Sequence, residues 1–140
     1  MSVPVSEYPS VLQQKLVLII EDDPVLLKSI ASSFAAAECR VMTAFDGKSG
    51  LSGFLKARPD LVVTDIIMPD HEGVEAIMAM KAHDATVPIL AISGGGRIGP
   101  GEFLSLALKL GADAALAKPF RSQDLLAVSA NLLGQSVKAA

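Results

Sequence analysis

Only one cysteine, Cys39, stands among the 140 residues, so no internal disulfide can brace the fold. It falls where a helix runs into a strand, which reads as a buried structural thiol and not a reactive one. No apolar run approaches the ~18 residues that a spanning helix needs, although 51% of the chain is hydrophobic. Those residues are therefore expected inside a soluble core. The opening MSVPVSEYPS lacks the basic flank and apolar centre of a secretory signal, and Ser2 excludes an N-terminal myristoylation site. The expectation is a cytoplasmic protein with no membrane contact. A net charge of −3, with both signs interspersed, leaves no basic stripe for a phosphate backbone, so direct nucleic-acid binding is not expected. The two histidines, His71 and His83, fall in apparent loops and read as surface residues.

What the chain does have is alternation. Five short apolar runs, KLVLII (15–20), RVMTA (40–44), LVVT (61–64), PILAIS (88–93) and AALAK (114–118), have strand length and are apolar almost throughout. That pattern suits strands covered on both faces, as in a parallel sheet. Segments of helical period lie between them. Asp23–Pro24 is an N-cap followed by proline at the first helical position, and Leu26, Leu27, Ile30 and Phe34 then recur at three and four residues. Asp46–Gly47 opens a second helix, and Pro59 turns Arg58 away from helix at its end. A third is expected over 73–82 and a fourth over 102–110, stopping at Gly111. Ser122 is expected to cap a fifth. The length suits one domain, 14–135, with loose tails at 1–13 and 136–140.

Five strands each followed by a helix make an α/β domain, whose ligands bind beyond the carboxyl ends of the strands. The first strand ends on Glu21 and Asp22, the third on Asp65, the fourth on Ser93 and the fifth on Lys118. All five polar groups thus meet one edge of the sheet. Three converging carboxylates repel unless a cation neutralises them. Mg²⁺ fits best, since it takes one or two carboxylates and keeps waters that a phosphate can replace. Lys118 and Ser93 suit phosphate oxygens, which leaves Asp65 as a nucleophile for phosphorus.

The stretches LVLIIEDDPVLL, VVTDIIMPDHEG, ILAIS and ALAKPF resemble the receiver domain of bacterial two-component response regulators, over about residues 14–135. Each motif is short, but their order at successive strand ends is specific. The resemblance implies a flavodoxin-like (βα)5 fold, a doubly wound five-stranded parallel sheet of order 2-1-3-4-5. It implies that Asp65 is the phosphoacceptor and that Asp22 binds Mg²⁺ directly and Glu21 largely through water. The backbone carbonyl of Ile67 completes the metal ligands, and Ser93 and Lys118 hold the phosphoryl oxygens. A cis Lys118–Pro119 peptide is a further expectation. The phosphoryl donor would be a phosphohistidine on a histidine kinase or phosphotransfer protein. With no segment left for an output domain, the expectation is a stand-alone module signalling to a downstream protein target or passing phosphate onward.

Competing readings are weaker. A Mg²⁺-dependent aspartyl-phosphate phosphohydrolase would need an acid two residues after the nucleophile, where Ile67 stands. An enzyme acting on a separate metabolite is therefore not expected, and an interaction domain that has lost phosphorylation would not need the full set of site residues. Gly94-x-Gly96-x-x-Gly99 with Asp113 imitates a dinucleotide fingerprint. However, it follows the fourth strand instead of the first, and Pro100 interrupts the turn. Asp23 reads as a cap, and Asp70 and Gly73 as turn residues. One departure from the family stands out: Ala115 replaces the aromatic residue usual three positions before the lysine. The fourth helix, EFLSLALKL, is apolar nearly all round, which points to a docking or homodimer surface on the face of helix 4, strand 5 and helix 5.

Overall fold

Branched apolar runs become five strands: β1 Leu16–Ile20, β2 Arg40–Ala44, β3 Leu61–Asp65, β4 Ile89–Ser93 and β5 Ala114–Ala117. A computed structural model describes residues 9–67, 72–93 and 100–139. The strands pair in parallel in the order β2-β1-β3-β4-β5, the expected doubly wound arrangement. Every residue of β3 and β4 is buried, which is why both read as apolar runs until their polar ends at Thr64–Asp65 and Ser93.

Helices α1 Pro24–Ala36, α2 Gly47–Ala57, α3 Glu72–His83, α4 Pro100–Leu110 and α5 Ser122–Ala139 cover the sheet. Strand side chains alternate between its faces. Val17, Ile19, Leu61, Val63, Leu90 and Ile92 pack with Ile30 and Phe34 of α1 and Leu125 and Leu133 of α5. Leu18, Ile20, Val62, Ile89 and Ala91 pack with Phe54 of α2, Ile77 and Met80 of α3, and Phe103 and Ala107 of α4.

Local signals act as read. Asp23 caps α1 by accepting from Val25 N at 3.0 Å, and Asp46 caps α2 by accepting from Ser49 N at 2.7 Å. Arg58 leaves α2 in the left-handed region (φ 49°), and Gly111 ends α4 at φ +110°. Cys39 is buried, donates to the Leu12 carbonyl at 3.1 Å, and is pushed by burial up to about 11.

Three expectations need correction. Ser122 is the first residue of α5 and not its cap: Arg121 O accepts the first helical bonds, and the Ser122 hydroxyl is held by Ser33 Oγ at 2.7 Å. The tail expected through residue 13 is anchored, because Ser10–Leu12 form a 3₁₀ turn and Leu12 is fully buried in the α1–α5 layer. Residues 136–139 continue α5, since Ser-Val-Lys-Ala carries no helix breaker. Pro100 opens α4, where its missing N–H costs no helical bond; the turn before it lies outside the described residues.

Candidate functional site

β1 stops at Ile20, and the chain leaves the sheet with Glu21 N still bonded to Ala44 O at 3.0 Å, which fixes Glu21 at the sheet's carboxyl edge. β3 puts Asp65 opposite Ile92, one step before Ser93 at the end of β4. Lys118 follows β5 and donates its backbone N–H to Ser93 O at 2.8 Å, so its side chain starts beside the same edge. Topology therefore gathers residues separated by nearly the whole domain. Glu21 is fully buried, Asp65 and Ser93 nearly so, and Asp22 is exposed.

Lys118 is the hub. Its Nζ lies 2.8 Å from Asp65 Oδ2 and 2.8 Å from Glu21 Oε1. The other oxygens of both carboxylates have amide partners: Asp65 Oδ1 accepts from Ile67 N at 2.8 Å, and Glu21 Oε2 accepts from Asp23 N at 2.9 Å. Burial raises the Glu21 carboxyl above its ordinary value, against the pull of Lys118 and the Asp23 amide and with the push of Asp22 and Asp65. Burial would lower Lys118, but Asp65 and Glu21 together outweigh it and hold the ammonium above the usual lysine value. The peptide bond from Lys118 to Pro119 is cis, as expected.

One carboxylate oxygen each from Glu21, Asp22 and Asp65 lies within 4.8 Å of the others. This donor set fits a hard divalent cation: all ligands are oxygens, and Asp22 reaches solvent, from which coordinated water would come. Glu21 Oε1 is buried with the Lys118 ammonium at 2.8 Å as its partner, and its second lone pair stays available to the cluster. Near the site, Gly73 reads in the sequence as a turn residue and lies at the start of α3. A Cβ there would fall against the Asp65 carbonyl oxygen and 2.8 Å from Ile66 Cα.

The rival motif dissolves. Gly94, Gly96 and Gly99 lie outside the described residues, as do Asp70 and His71. Asp113 sits at the opposite edge, accepting from Ile89 N and Lys81 Nζ at 2.8 Å each. His83 is exposed at the end of α3, away from the carboxylates. Asp23 caps α1, as read. Sequence reasoning did not anticipate the amides of Asp23 and Ile67 as carboxylate partners. A backbone donor leaves no mark in residue type.

The family model described as the response regulator receiver domain matches residues 17–130. The chain belongs to that family. As a receiver of two-component systems it is 34% identical over 111 residues to the transcriptional regulatory protein PrrA of Mycobacterium leprae (strain TN), a match covering 79% of this chain and 46% of that protein. It is 35% identical over 109 residues to the transcription factor SKN7 of Saccharomyces cerevisiae, covering 78% of this chain and 17% of the relative. The receiver thus spans less than half the length of these curated relatives. Among solved structures, the CheY-like receiver domain protein from Methanospirillum hungatei JF-1 is 25% identical with a TM-score of 0.82, covering 91% of this chain and all of that one. No helix among the described residues is long and apolar enough to cross a membrane.

Proposed function

We propose that this receiver takes a phosphoryl group onto Asp65 from a phosphohistidine of a histidine kinase or phosphotransfer protein. The observation that carries the reading is the bridging of buried Asp65 and Glu21 by Lys118 at 2.8 Å each, with Asp22 completing a carboxylate cluster. Three carboxylates around one ammonium carry excess negative charge, an arrangement that suits a divalent cation. Glu21, Asp22, Asp65 and the backbone carbonyl of Ile67 would hold Mg²⁺, which supplies charge neutralisation to the phosphoryl oxygens.

The chain's own residues account for the rest. An oxygen of Asp65 forms the new bond to phosphorus while the bond from phosphorus to imidazole nitrogen breaks, its electrons returning to the ring. Lys118, already against Asp65, pairs with an oxygen of the transferred group, and the Ser93 hydroxyl at the end of β4 offers it a hydrogen bond. Ile67 N–H orients the nucleophilic carboxylate. A groove of about 510 Å³ between α1 and the start of α5, lined by Val25, Leu26, Ile30, Lys118 and Phe120, opens beside Lys118 and suits the donor protein.

Ile67, two residues after Asp65, offers no acid or base to activate water, which disfavours the phosphohydrolase reading. Output is by contact with a downstream protein or onward transfer, without turnover of a separate metabolite, in the cytoplasm. The face of α4, β5 and α5 is the surface proposed for downstream contact. Leu106 and Leu108 are exposed on α4, but two residues apart they point ~200° from each other, so they form no single patch.

Intact mass after incubation with acetyl phosphate and Mg²⁺, with and without chelator, tests the chemistry. One phosphoryl adduct is expected in the wild type with metal and none in Asp65→Asn. An adduct that persists in Asp65→Asn, or that ignores the chelator, would overturn the assignment. No adduct on a folded, Mg²⁺-binding protein would leave the interaction-domain reading in its place.

A further inference from the structure

α2 and α3 both return the chain between parallel strands, so they run side by side in the same direction, with a seam between them. One half of the seam is a groove of ≈ 370 Å³, whose walls include Lys48 and Leu51 on α2 and Glu75 and Ala79 on α3. The other half, ≈ 450 Å³, runs between Leu55 and Arg58 at the end of α2 and Asp84 just past α3. Lys48, Leu51, Leu55 and Arg58 recur at three and four residues, so they form one ridge along α2. Its middle is apolar, with Leu55 45% exposed, and both its ends are cationic. The α3 wall has Ala79 in the middle, with Glu75 at the end facing Lys48 and Asp84 at the end facing Arg58.

These charges lack close salt-bridge partners. None of the ion pairs among the described residues involves Lys48, Arg58, Glu75 or Asp84. The Lys48 ammonium acts on the Asp46 carboxylate without a close ion pair, and Asp84 Oδ1 accepts from Thr86 N and Oγ1 while the Lys81 charge acts on it from a distance.

We propose that this seam is where two copies of the chain associate. The charge pattern selects the symmetry. A two-fold axis running along the seam lays α2 of each copy over α3 of the other at the same height, so the Leu51–Leu55 ridge enters the second copy's groove. Lys48 then meets the second copy's Glu75, and Arg58 meets the second copy's Asp84, each twice. An axis across the seam would instead set α2 against α2 in reverse, with Lys48 over Arg58, and like charges would repel. Two helices per copy make a small interface, so the dimer exchanges readily. It uses none of the carboxylate-cluster residues and forms without phosphate.

Sedimentation of the full chain from micromolar to millimolar concentration, in chelator, tests this. Self-association is expected in the wild type, and Lys48→Glu or Glu75→Lys alone is expected to weaken it about tenfold or more. An equimolar mixture of the two variants restores it, because each reversed charge then faces its opposite. Leu55→Glu abolishes it. All three positions are exposed, so thermal midpoints stay near that of the wild type and report that folding is intact. A wild type that stays monomeric, variants that associate unchanged, a mixture that fails to recover, or loss of association on Leu106→Glu but not on Leu55→Glu would each overturn the proposal.

Discussion

Lys118 does two jobs that can be separated by measurement. Glu21 and Asp65 are both buried, and their cluster oxygens lie within 4.8 Å, which at an effective dielectric of about 20 is roughly 3 kcal/mol of repulsion. The ammonium between them offsets that cost in the metal-free protein. Lys118→Met would leave two buried carboxylates facing each other, and a loss of about 3–5 kcal/mol in urea unfolding is expected in chelator. Mg²⁺ is expected to return much of it, since a cation replaces a cation; a variant as stable as wild type in chelator would show that the pairing carries no weight. Cys39 gives a pH test well away from the site. Its thiol is raised by burial to about 11 from an ordinary 9.0, so its stabilisation is complete below 9 and lost as pH rises through 11. Relative to Cys39→Ala, the wild type is expected to lose about 2–3 kcal/mol across that interval. A stability difference flat in pH would mean the thiol is solvated.

At the scale of elements, legibility followed how local each cause is. β3 and β4 could be read because strands buried on both faces are apolar along most of their length, and the caps of α1 and α2 because an aspartate bonds amides two or three residues on. Ser122 misled because its hydroxyl is claimed by Ser33, 89 residues away, and no local rule registers that. Leu12 reads as tail in the sequence because its burial depends on packing against the α1–α5 layer. The residues gathered at the sheet edge were legible as strand-end chemistry, whereas the amides that orient them were not. Gly73 shows the same limit. Helix propensity alone says Gly73→Ala should stabilise α3 by up to about 1 kcal/mol. The structure says the opposite, because the added methyl meets the backbone of Asp65 and Ile66. A net loss of about 1–3 kcal/mol is expected, with slower adduct formation from acetyl phosphate as the end of β3 shifts. A variant as stable as the wild type or more so would show that α3 can retreat without disturbing the site.

On the scale of the whole molecule, the fold places its least comfortable charges where its backbone is best held. β3 is central in the sheet, paired with β1 and β4 and buried along its full length, and Asp65 stands at its end. Three carboxylates and one lysine leave the cluster with a local excess of negative charge inside a chain of net charge −3. Folding creates that crowding, since the unfolded chain keeps the same groups far apart. A divalent cation should therefore bind the folded state far better than the unfolded one, and its binding appears as stability. At ten times the dissociation constant the gain is about 1.4 kcal/mol, a few degrees in the thermal midpoint for a domain this size. Differential scanning calorimetry with increasing Mg²⁺ is expected to show that rise in the wild type. In Asp22→Asn, which removes an exposed ligand with little effect on packing, the rise should be much smaller. Na⁺ at matched ionic strength is expected to give little, because screening alone cannot neutralise Glu21 and Asp65 behind the surface. Equal shifts with Na⁺ and Mg²⁺ would reduce the cluster to ordinary surface electrostatics and remove the metal from the proposed phosphoryl transfer.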